Sequence, residues 1–562
     1  EISQLMEKDA IQVMKKKKKY HQIAAECRSK GEIVSTLPSQ LVFTIKADGR
    51  HKARMVICGN FAQEVFGEVS TSDLDPTILR FMLSWGSRRG KNLSCGKIDI
   101  STAFLNSELP PGRRIFMMVP KQLVQLGLYE EDDIFEVTKG IYGLKEAPKW
   151  WASTRNEVLS KLEIPLKNGK TARLYKSKVH DSLWIISTSK KRVLEIEKKN
   201  EASQWLDEQG RPRALDSCWD SDDILGLVGV YVDDLALVSI SKEITKAVFE
   251  AVQKIWKTSP PEYLDEQANM LFLGLRVYIT DEGIKISQPA YAKDMVKKLF
   301  GDASMGSRNA PCDSDGFMSK PYTQVGDDKV ANTDSEKKRL QMAIGTLLWL
   351  STRTRPDLAF AVSRMASCAT SSQVECQRRL KHCVQYVIGS MDKGIFYKFP
   401  SPGETPKMHI YSDASFAPEG GNSHTGCIVT LQYPKSGALH AIGWLSVRQS
   451  GIVAKSSAEA ELIALCTSSE TAACVQLLCE ETGHPLMPTL FTDNTAALHQ
   501  HNAESPSWRS RHISIKGEHL RTEVKEQRLS VQYCKTADML ADMLTKGVPS
   551  QVLNRLLPMI MQ

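Results

Sequence analysis

Residues 225–240 read LGLVGVYVDDLALVSI, and the two adjacent acids inside this apolar run, Asp233 and Asp234, decide how the chain folds. A carboxylate buried without a partner is costly and usually neutralises instead. Two in succession therefore need a turn that exposes them or a cation that they serve. A tight hairpin meets the first need, with Leu227–Tyr231 and Leu235–Val238 as its arms and both acids at the turn. A plain Asp turn is the bland reading. The second need draws in Asp99, which ends the strand-like KID (97–99) just before a helix that Ser101 or Thr102 would cap. Three acids at neighbouring strand ends suit two magnesium ions roughly 3.5–4 Å apart, a pair that activates an attacking 3′ hydroxyl and stabilises a departing pyrophosphate.

Outward from this hairpin the chain divides. Its 562 residues exceed what one hydrophobic core organises, so roughly three or four units are expected. Residues 1–34 form a polar, lysine-rich segment of helical spacing, in which Lys15–Lys19 is either a phosphate-touching arm or a solvated charge run. LVFTIKADGRHKARMVIC (41–58) alternates like paired strands, with ADG as the hairpin turn. DIFEVTKGIYGL (133–144) is strand-like and precedes a helix carrying Trp150 and Trp151. Residues 186–224, rich in Lys, Glu, Asp and Ser, read as an inserted surface excursion. A helix near 242–256, a strand pair MLFLGLRVYIT (270–280) and GIKISQ (283–288), and a helix near 290–300 follow, then a linker at 301–335. Amphipathic helices fill 336–390. After the composition break KFPSPGETPK (398–407), a last unit reads strand, strand, strand, helix, strand, helix, strand, helix, an α/β order.

Composition sets looser bounds. Apolar residues at 42% and charged ones at 25% fit a folded protein and confine disorder to local stretches. A net charge of +8 and a pI near 8.7 suit a polyanionic partner without requiring one. Thirteen cysteines without a CxxC pair argue for a reducing compartment and against structural zinc. No early segment has the pattern of a secretory signal and no run looks long enough to span a membrane, so a soluble protein is expected. A start at Glu1 rather than methionine reads as a piece of something larger.

A second set of acids lies in the last unit. KMHIYSDASF (407–416) puts Asp413 on the first strand, PTLFTDNTAAL (488–498) puts Asp493 at the end of a later one, and TADMLADMLTK (536–546) puts Asp542 on the terminal helix. AKSSAEAELIAL (454–465) offers two more. Ser456 and Glu459 have capping-box spacing, which occupies Glu459 and leaves Glu461 for chemistry.

In that order, KIDISTAFLNSEL (97–109), KGIYGLKEAPKWW (139–151) and YVDDLALVS (231–239) resemble the three central motifs of copia-type retrotransposon reverse transcriptases. The succession Asp, Glu, Asp, Asp in the last unit resembles ribonuclease H, and SSAEAELIAL (456–465) and ADMLTK (541–546) resemble copia-type elements in particular. AIGTLLWLSTRTRPDLAFAVSRMA (343–366) matches the family's connecting segment, so the resemblance runs from about Ser35 to Lys546. It implies an α+β and α/β multidomain protein: a right-hand polymerase of fingers, palm and thumb, then a helical connection and a ribonuclease H-like domain. The expected bounds are a basic segment at 1–34, fingers and palm at 35–256, palm end, thumb-like region and linker at 257–335, connection at 336–400 and ribonuclease H-like domain at 406–550.

By the same resemblance Asp99, Asp233 and Asp234 are the polymerase metal ligands and Asp413, Glu461, Asp493 and Asp542 those of the nuclease, with two magnesium ions per site and manganese as an alternative. Phe104 matches the aromatic that backs the sugar and excludes a 2′ hydroxyl, its other reading being a core aromatic. Lys52 and Arg54 in HKARMV match the basic finger strand that touches the triphosphate, and Gly143 and Pro148 shape the loop under the base pair. His519 matches a retained histidine, as a substrate contact or a structural residue. Arg353 and Arg355 touch nucleic acid or cap helices. Two positions depart from the family. Glu146 replaces a glutamine beside the incoming nucleotide, where it repels triphosphate unless protonated or paired, with Lys145 or Lys149 as candidate partners. Ser514 stands where aspartate is common.

The implied function is RNA-directed DNA polymerase with ribonuclease H activity. Its partners are an RNA template, a DNA primer, the RNA–DNA hybrid and deoxynucleoside triphosphates, with no membrane. Its place is the cytoplasm, within element particles, with nuclear entry as a further option. Two other readings stand beside it: a nucleic-acid-binding relic without turnover, which rests on Glu146, Ser514 and the excursion, and a chain with nuclease activity only, which rests on Glu146 because that position bears on the polymerase alone.

Overall fold

A computed structural model of the protein describes residues 2–14, 17–45, 49, 51–62, 69–71, 73–188, 223–265, 269–301, 305–313, 334–369, 373–418, 422–450, 453–502 and 511–562. Most of the 186–224 excursion and of the 301–335 linker, and the side chains of Lys15–Lys19 and Ser514, lie outside the described residues.

The first layer is a four-stranded sheet. Strand β1 (Ile11–Met14) pairs with β7 (Ile134–Val137), β7 with β6 (Arg113–Met118), and β6 takes β2 (Ile33–Leu37) in parallel. Period-two alternation sends Ile115, Met117 and Phe135 to a core with Leu5 and Ile11, and Phe116 and Ile134 to another with Tyr20 and Ala24. Residues 1–34, read from sequence as a separate basic segment, thus supply strands and helices to this layer. The expected hairpin is present as β3 (Ser39–Ile45) and β4 (His51–Ile57), with Ile45 opposite His51.

The central sheet has seven antiparallel strands. Its order is β13 (Glu262–Leu264), β5 (Ser94–Asp99), β12 (Asp234–Ser239), β11 (Ile224–Tyr231), β10 (Leu183–Ser187), β9 (Thr171–Lys176) and β8 (Glu163–Pro165). One face meets the helices Ala147–Lys161 and Lys242–Gln253 through Trp151, Leu159, Val248 and Phe249. The other meets the Pro76–Ser87 helix through Ile78, Leu79 and Met82. Burial on both faces explains why the 225–240 stretch is continuously apolar rather than alternating. After Asp99 the chain does not enter the expected capped helix. Thr102 takes a left-handed φ of 52° and its hydroxyl bonds the Ser101 carbonyl at 2.6 Å, and a short 3₁₀ turn, Ala103–Asn106, follows.

Strands β14 (Met270–Phe272), β15 (Leu275–Ile279) and β16 (Gly283–Ser287) continue into β17 (Gly394–Lys398), so the strand pair after the central sheet and the end of the helical stretch share one sheet. Helices Pro289–Phe300, Asp334–Arg353, Ala359–Cys368 and Gln373–Ile388 pack around Leu347, Phe360 and Val384. Arg355, expected at nucleic acid or a helix end, is 2% exposed and held by Asp357 at 2.8 Å and the Ser390 carbonyl at 2.8 Å. It is a core ion pair.

The last unit is a five-stranded sheet in the order β20 (Ala438–Arg448), β19 (His424–Tyr433), β18 (Lys407–Ser415), β21 (Thr489–Thr492) and β22 (Ser530–Tyr533). The first three are antiparallel, and β21 and β22 are added in parallel. Two helices, Thr495–Asn502 and Arg511–Lys525, separate β21 from β22 where one was expected. Contrary to the expectation that no membrane-length run exists, the Ser457–Glu481 helix is long and apolar enough to cross a bilayer by composition. Its buried Leu465, Cys466, Val475 and Leu478 join the core with β18 and β19, which accounts for its hydropathy.

That unit rests on the Pro76–Ser87 helix, which covers one face of the central sheet. Arg80, 3% exposed, donates from Nε to the Ile442 carbonyl at 2.7 Å and from Nη1 to the Thr352 and Arg353 carbonyls at 2.9 Å, with its guanidinium 4.1 Å from the Trp444 ring. Ser84 and His440 Nδ1 lie 2.8 Å apart, and His440 Nε2 lies 2.8 Å from the Lys398 carbonyl. That carbonyl only accepts, so Nε2 donates to it, and burial keeps the imidazole neutral, which leaves Nδ1 to accept from Ser84 Oγ. Burial holds the His440 pKa down at about 4, so between there and the unfolded value of 6.5 only the unfolded chain takes the proton. Stability should therefore fall as pH drops through that window, by about 3 kcal/mol for this residue. Urea unfolding from pH 7 to 4 should show the fall, and His440→Gln should flatten it. An equal slope in the variant would remove His440 as its source.

Candidate active sites

The hairpin of β11 and β12 pairs Tyr231 with Asp234 and leaves Val232 and Asp233 as the turn. Across the next pairing Asp234 stands directly opposite Asp99, so both carboxylates share one face. The Asp233 carbonyl accepts from Ile100 N at 2.9 Å, fastening the turn to the end of β5. Val232 has a φ of 51°, a strained conformation for a β-branched residue. Trp151 Nε1 at 2.7 Å and Arg155 Nη1 at 3.0 Å both donate to its carbonyl and hold it there. Burial, then Asp233 and Asp99, push the Asp234 pKa up to about 6. Burial and Asp99 also raise that of Asp233, while Arg54 and Lys52 pull it back. This crowding of like charge fits a divalent cation.

Lys52 and Arg54 sit on β4, and their positive charge offsets part of the rise in the Asp233 pKa. The Arg54 guanidinium lies 5.3 Å from the Tyr142 ring, and Tyr142 meets Phe104 edge-on at 5.2 Å. Phe104, in the 3₁₀ turn, is half-buried, at once a packing residue and part of the surface. Gly143 fixes this junction. Its φ is 97°, and a Cβ there would fall 2.0 Å from the Ile57 carbonyl.

Glu146, expected beside the incoming nucleotide, is instead 1% exposed and paired with Arg113 of β6 at 3.3 Å. Arg113 is itself buried and also donates to Ser35 Oγ at 2.8 Å. The repulsion anticipated from the missing glutamine is answered by a cation 33 residues away, and Glu146 is not presented to a nucleotide.

In the last unit Asp413 lies on β18, Glu461 in the second turn of the Ser457–Glu481 helix, and Asp493 just past β21. One ligand oxygen from each lies within 4.8 Å of the others, and among the described residues no other acids, histidines or cysteines gather three so closely. Asp99, Asp233 and Asp234 are neighbours by register but less tightly drawn. Ser456 Oγ accepts from Glu459 N at 3.2 Å and Glu459 Oε2 accepts from Lys455 N at 2.6 Å, so Glu459 is a cap, as its spacing indicates. Burial, Asp413 and Asp493 push the Glu461 pKa up to about 9, and its Oε2 is buried with no hydrogen-bond partner. An orphaned carboxylate oxygen among other carboxylates fits a metal ion.

Asp542 lies in a 3₁₀ turn, Leu540–Leu544, rather than on an α-helix. Lys546 Nζ is 2.8 Å from its Oδ1 and 3.6 Å from Asp413 Oδ2. Thr545 Oγ1 donates to Asp413 Oδ2, and Thr536 Oγ1 donates to Asp493 Oδ2 at 2.8 Å. Sequence reasoning passed over Thr536, Thr545 and Lys546. Their signal was closeness to Asp542, Lys546 lying one turn on. His519 is exposed on the Arg511–Lys525 helix.

Residues 29–187 match the family model described as reverse transcriptase (RNA-dependent DNA polymerase). The chain is 26% identical over 529 residues to the retrovirus-related Pol polyprotein from transposon RE2 of Arabidopsis thaliana, covering 91% of this chain and 31% of that protein. For transposon TNT 1-94 of Nicotiana tabacum the figures are 24% over 526 residues, 91% and 34%. The chain thus spans about a third of the length of the curated relatives it matches. A foamy viral protease-reverse transcriptase solved in complex with ds DNA is 12% identical, with 92% of this chain and 69% of that one covered and a TM-score of 0.48. The chain is similar over 91% of its length to the copia-type retrotransposon Pol polyproteins, and its match to the reverse transcriptase family lies within residues 29–187.

Proposed function

We propose that the chain is an RNA-directed DNA polymerase whose last unit is a ribonuclease H, copying the RNA of a retrotransposon into DNA and cutting the RNA of the resulting hybrid. The reading is carried by the register that sets Asp234 opposite Asp99 with Asp233 at the adjoining turn. These acids would hold magnesium, with manganese as the alternative, in the first site, and Asp413, Glu461, Asp493 and Asp542 would hold it in the second. Bound there, divalent cations polarise phosphate oxygens and activate the attacking hydroxyl or water.

The chain's own residues do the rest. Lys52 and Arg54 bind the triphosphate on the acid side of the hairpin. Phe104, braced by Tyr142, backs the sugar of the deoxynucleoside triphosphate. The RNA template, DNA primer and hybrid are gripped through phosphates and helical shape, so affinity falls steeply with salt. His519, exposed, is a substrate contact. The setting is cytoplasmic, within element particles, with nuclear entry as a further step. The Glu146–Arg113 pair removes one ground for an inactive relic. The nuclease-only reading draws on the tighter gathering of the second set of acids.

One gel separates these readings: primer extension on a labelled RNA template with magnesium, followed by degradation of that RNA. Extension and cutting are both expected, and cutting without extension would leave the nuclease only. Phe104→Val should raise ribonucleotide incorporation roughly 10–200-fold, the worth of one lost steric contact. Unchanged sugar selectivity would reject the assignment. Asp493→Asn should abolish cutting while extension persists, and loss of both would mean that the two sites are not separate.

A further inference from the structure

Three lysines from distant parts of the chain meet at the turn that follows Asp99. Lys8 lies just past the Ile2–Glu7 helix, Lys139 past β7 and Lys257 past the Lys242–Gln253 helix. Lys8 Nζ donates to Thr102 Oγ1 at 2.5 Å, and Lys139 Nζ donates to the Lys8 carbonyl at 2.7 Å. The Lys257 carbonyl accepts from Ser101 N at 2.9 Å and the Asp99 carbonyl accepts from Ser259 N at 2.8 Å, so the segment carrying Lys257 runs beside Asp99 and Ser101. Lys8 and Lys139 are half-buried, and among the described residues no carboxylate forms an ion pair with any of the three. Burial, then the charges of Lys139 and Lys257, hold the Lys8 pKa down. An ammonium has three donors, and Lys8 and Lys139 each spend one on the protein. Like charges crowded in this way are unfavourable until an anion joins them.

We propose that Lys8, Lys139 and Lys257 form a binding site for the pyrophosphate that polymerisation releases. The inference rests on the polymerase reading, which supplies the ligand. A convergent trio suits a compact anion that carries several charges on two phosphorus atoms. A nucleic acid strand instead spreads one charge per nucleotide along its length and is matched by cations in a row. The turn that the lysines surround, Ser101–Thr102, follows Asp99 almost at once, so a leaving group set free beside Asp99 has a short path to them. As the 3′ oxygen bonds to the α-phosphorus, the bond from that phosphorus to the bridging oxygen breaks. Its electron pair stays on the pyrophosphate, and the proton of the 3′ hydroxyl passes to solvent. The lysines keep their protons and hold the departing anion by charge and by N–H donors. Lys8 thereby gives the 1–34 segment a part in the first site.

Calorimetric titration of the full chain with pyrophosphate and magnesium, in the absence of nucleic acid and nucleotide, tests the site apart from turnover. Lys8→Gln, Lys139→Gln and Lys257→Gln should each weaken binding roughly tenfold, the worth of one charge-assisted contact. Lys257→Arg, which keeps the charge, should retain most of the affinity. In primer shortening by pyrophosphorolysis, the KM for pyrophosphate should rise roughly tenfold in each Gln variant. The KM for deoxynucleoside triphosphate in extension should rise by less. Unchanged pyrophosphate affinity in all three Gln variants would overturn the proposal. So would an equal rise in both KM values, which would put the lysines on the incoming triphosphate, or weaker binding of primer and template with pyrophosphate affinity intact, which would put them on a nucleic acid strand. A chain that binds pyrophosphate through these lysines and extends no primer would instead count against the polymerase reading and leave the site standing.

Discussion

The antiparallel register of β12 on β5 is the constraint on which the first site depends. Side chains alternate between the two faces of a strand, so a slip of one residue would put Asp234 and Asp99 on opposite faces and undo the cluster. Apolar residues bury both faces of the central sheet, Ile98, Val228, Leu235 and Leu237 on one and Cys95, Leu227, Ala236 and Val238 on the other, and a slip would unseat both sets. Packing energy thus opposes the mutual repulsion of the acids. The strained Val232 turn persists because Trp151 and Arg155 grip its carbonyl from the neighbouring helix.

Legibility in the sequence followed the range of the interaction. The hairpin, its acids and the strand ending at Asp99 were readable because local pattern and chain neighbours determine them. The capping role of Glu459 was readable for the same reason, which left Glu461 for the acidic trio. The Glu146–Arg113 pair was hidden, since the two residues meet only when β6 packs beside the start of the Ala147–Lys161 helix. The 3₁₀ turns at Ala103–Asn106 and Leu540–Leu544 were mistaken for α-helix because good cap residues and apolar spacing favour both. At the first, Thr102 turns the chain through a left-handed φ of 52° and makes no side-chain cap. The Ser457–Glu481 helix shows the converse, a bilayer-like composition produced by burial inside a protein.

The two acidic sites handle the same electrostatic problem differently. In the first, Arg54 and Lys52 approach from another sheet and temper Asp233 from outside the cluster. In the second, Lys546 comes from the same short segment as Asp542 and enters the cluster itself. Neutralisation borrowed from a separate hairpin varies with the position of that hairpin, whereas neutralisation supplied one turn along the chain is fixed with the acid. The first site is therefore sensitive to finger position in a way the second is not.

Arg80 extends this interdependence to the whole molecule. Its charge is held by three backbone carbonyls drawn from two other parts of the chain and by the face of Trp444, and the core beneath it runs without a break from Leu79 to Ile442. Severing the chain near residue 400 would strip the outer strand of the last sheet of its cover and leave the guanidinium without its acceptors. The last unit has the topology of a freestanding module, yet its stability is mortgaged to the body before it, and recombination that exchanged it between elements would have to carry the matching Pro76–Ser87 helix along.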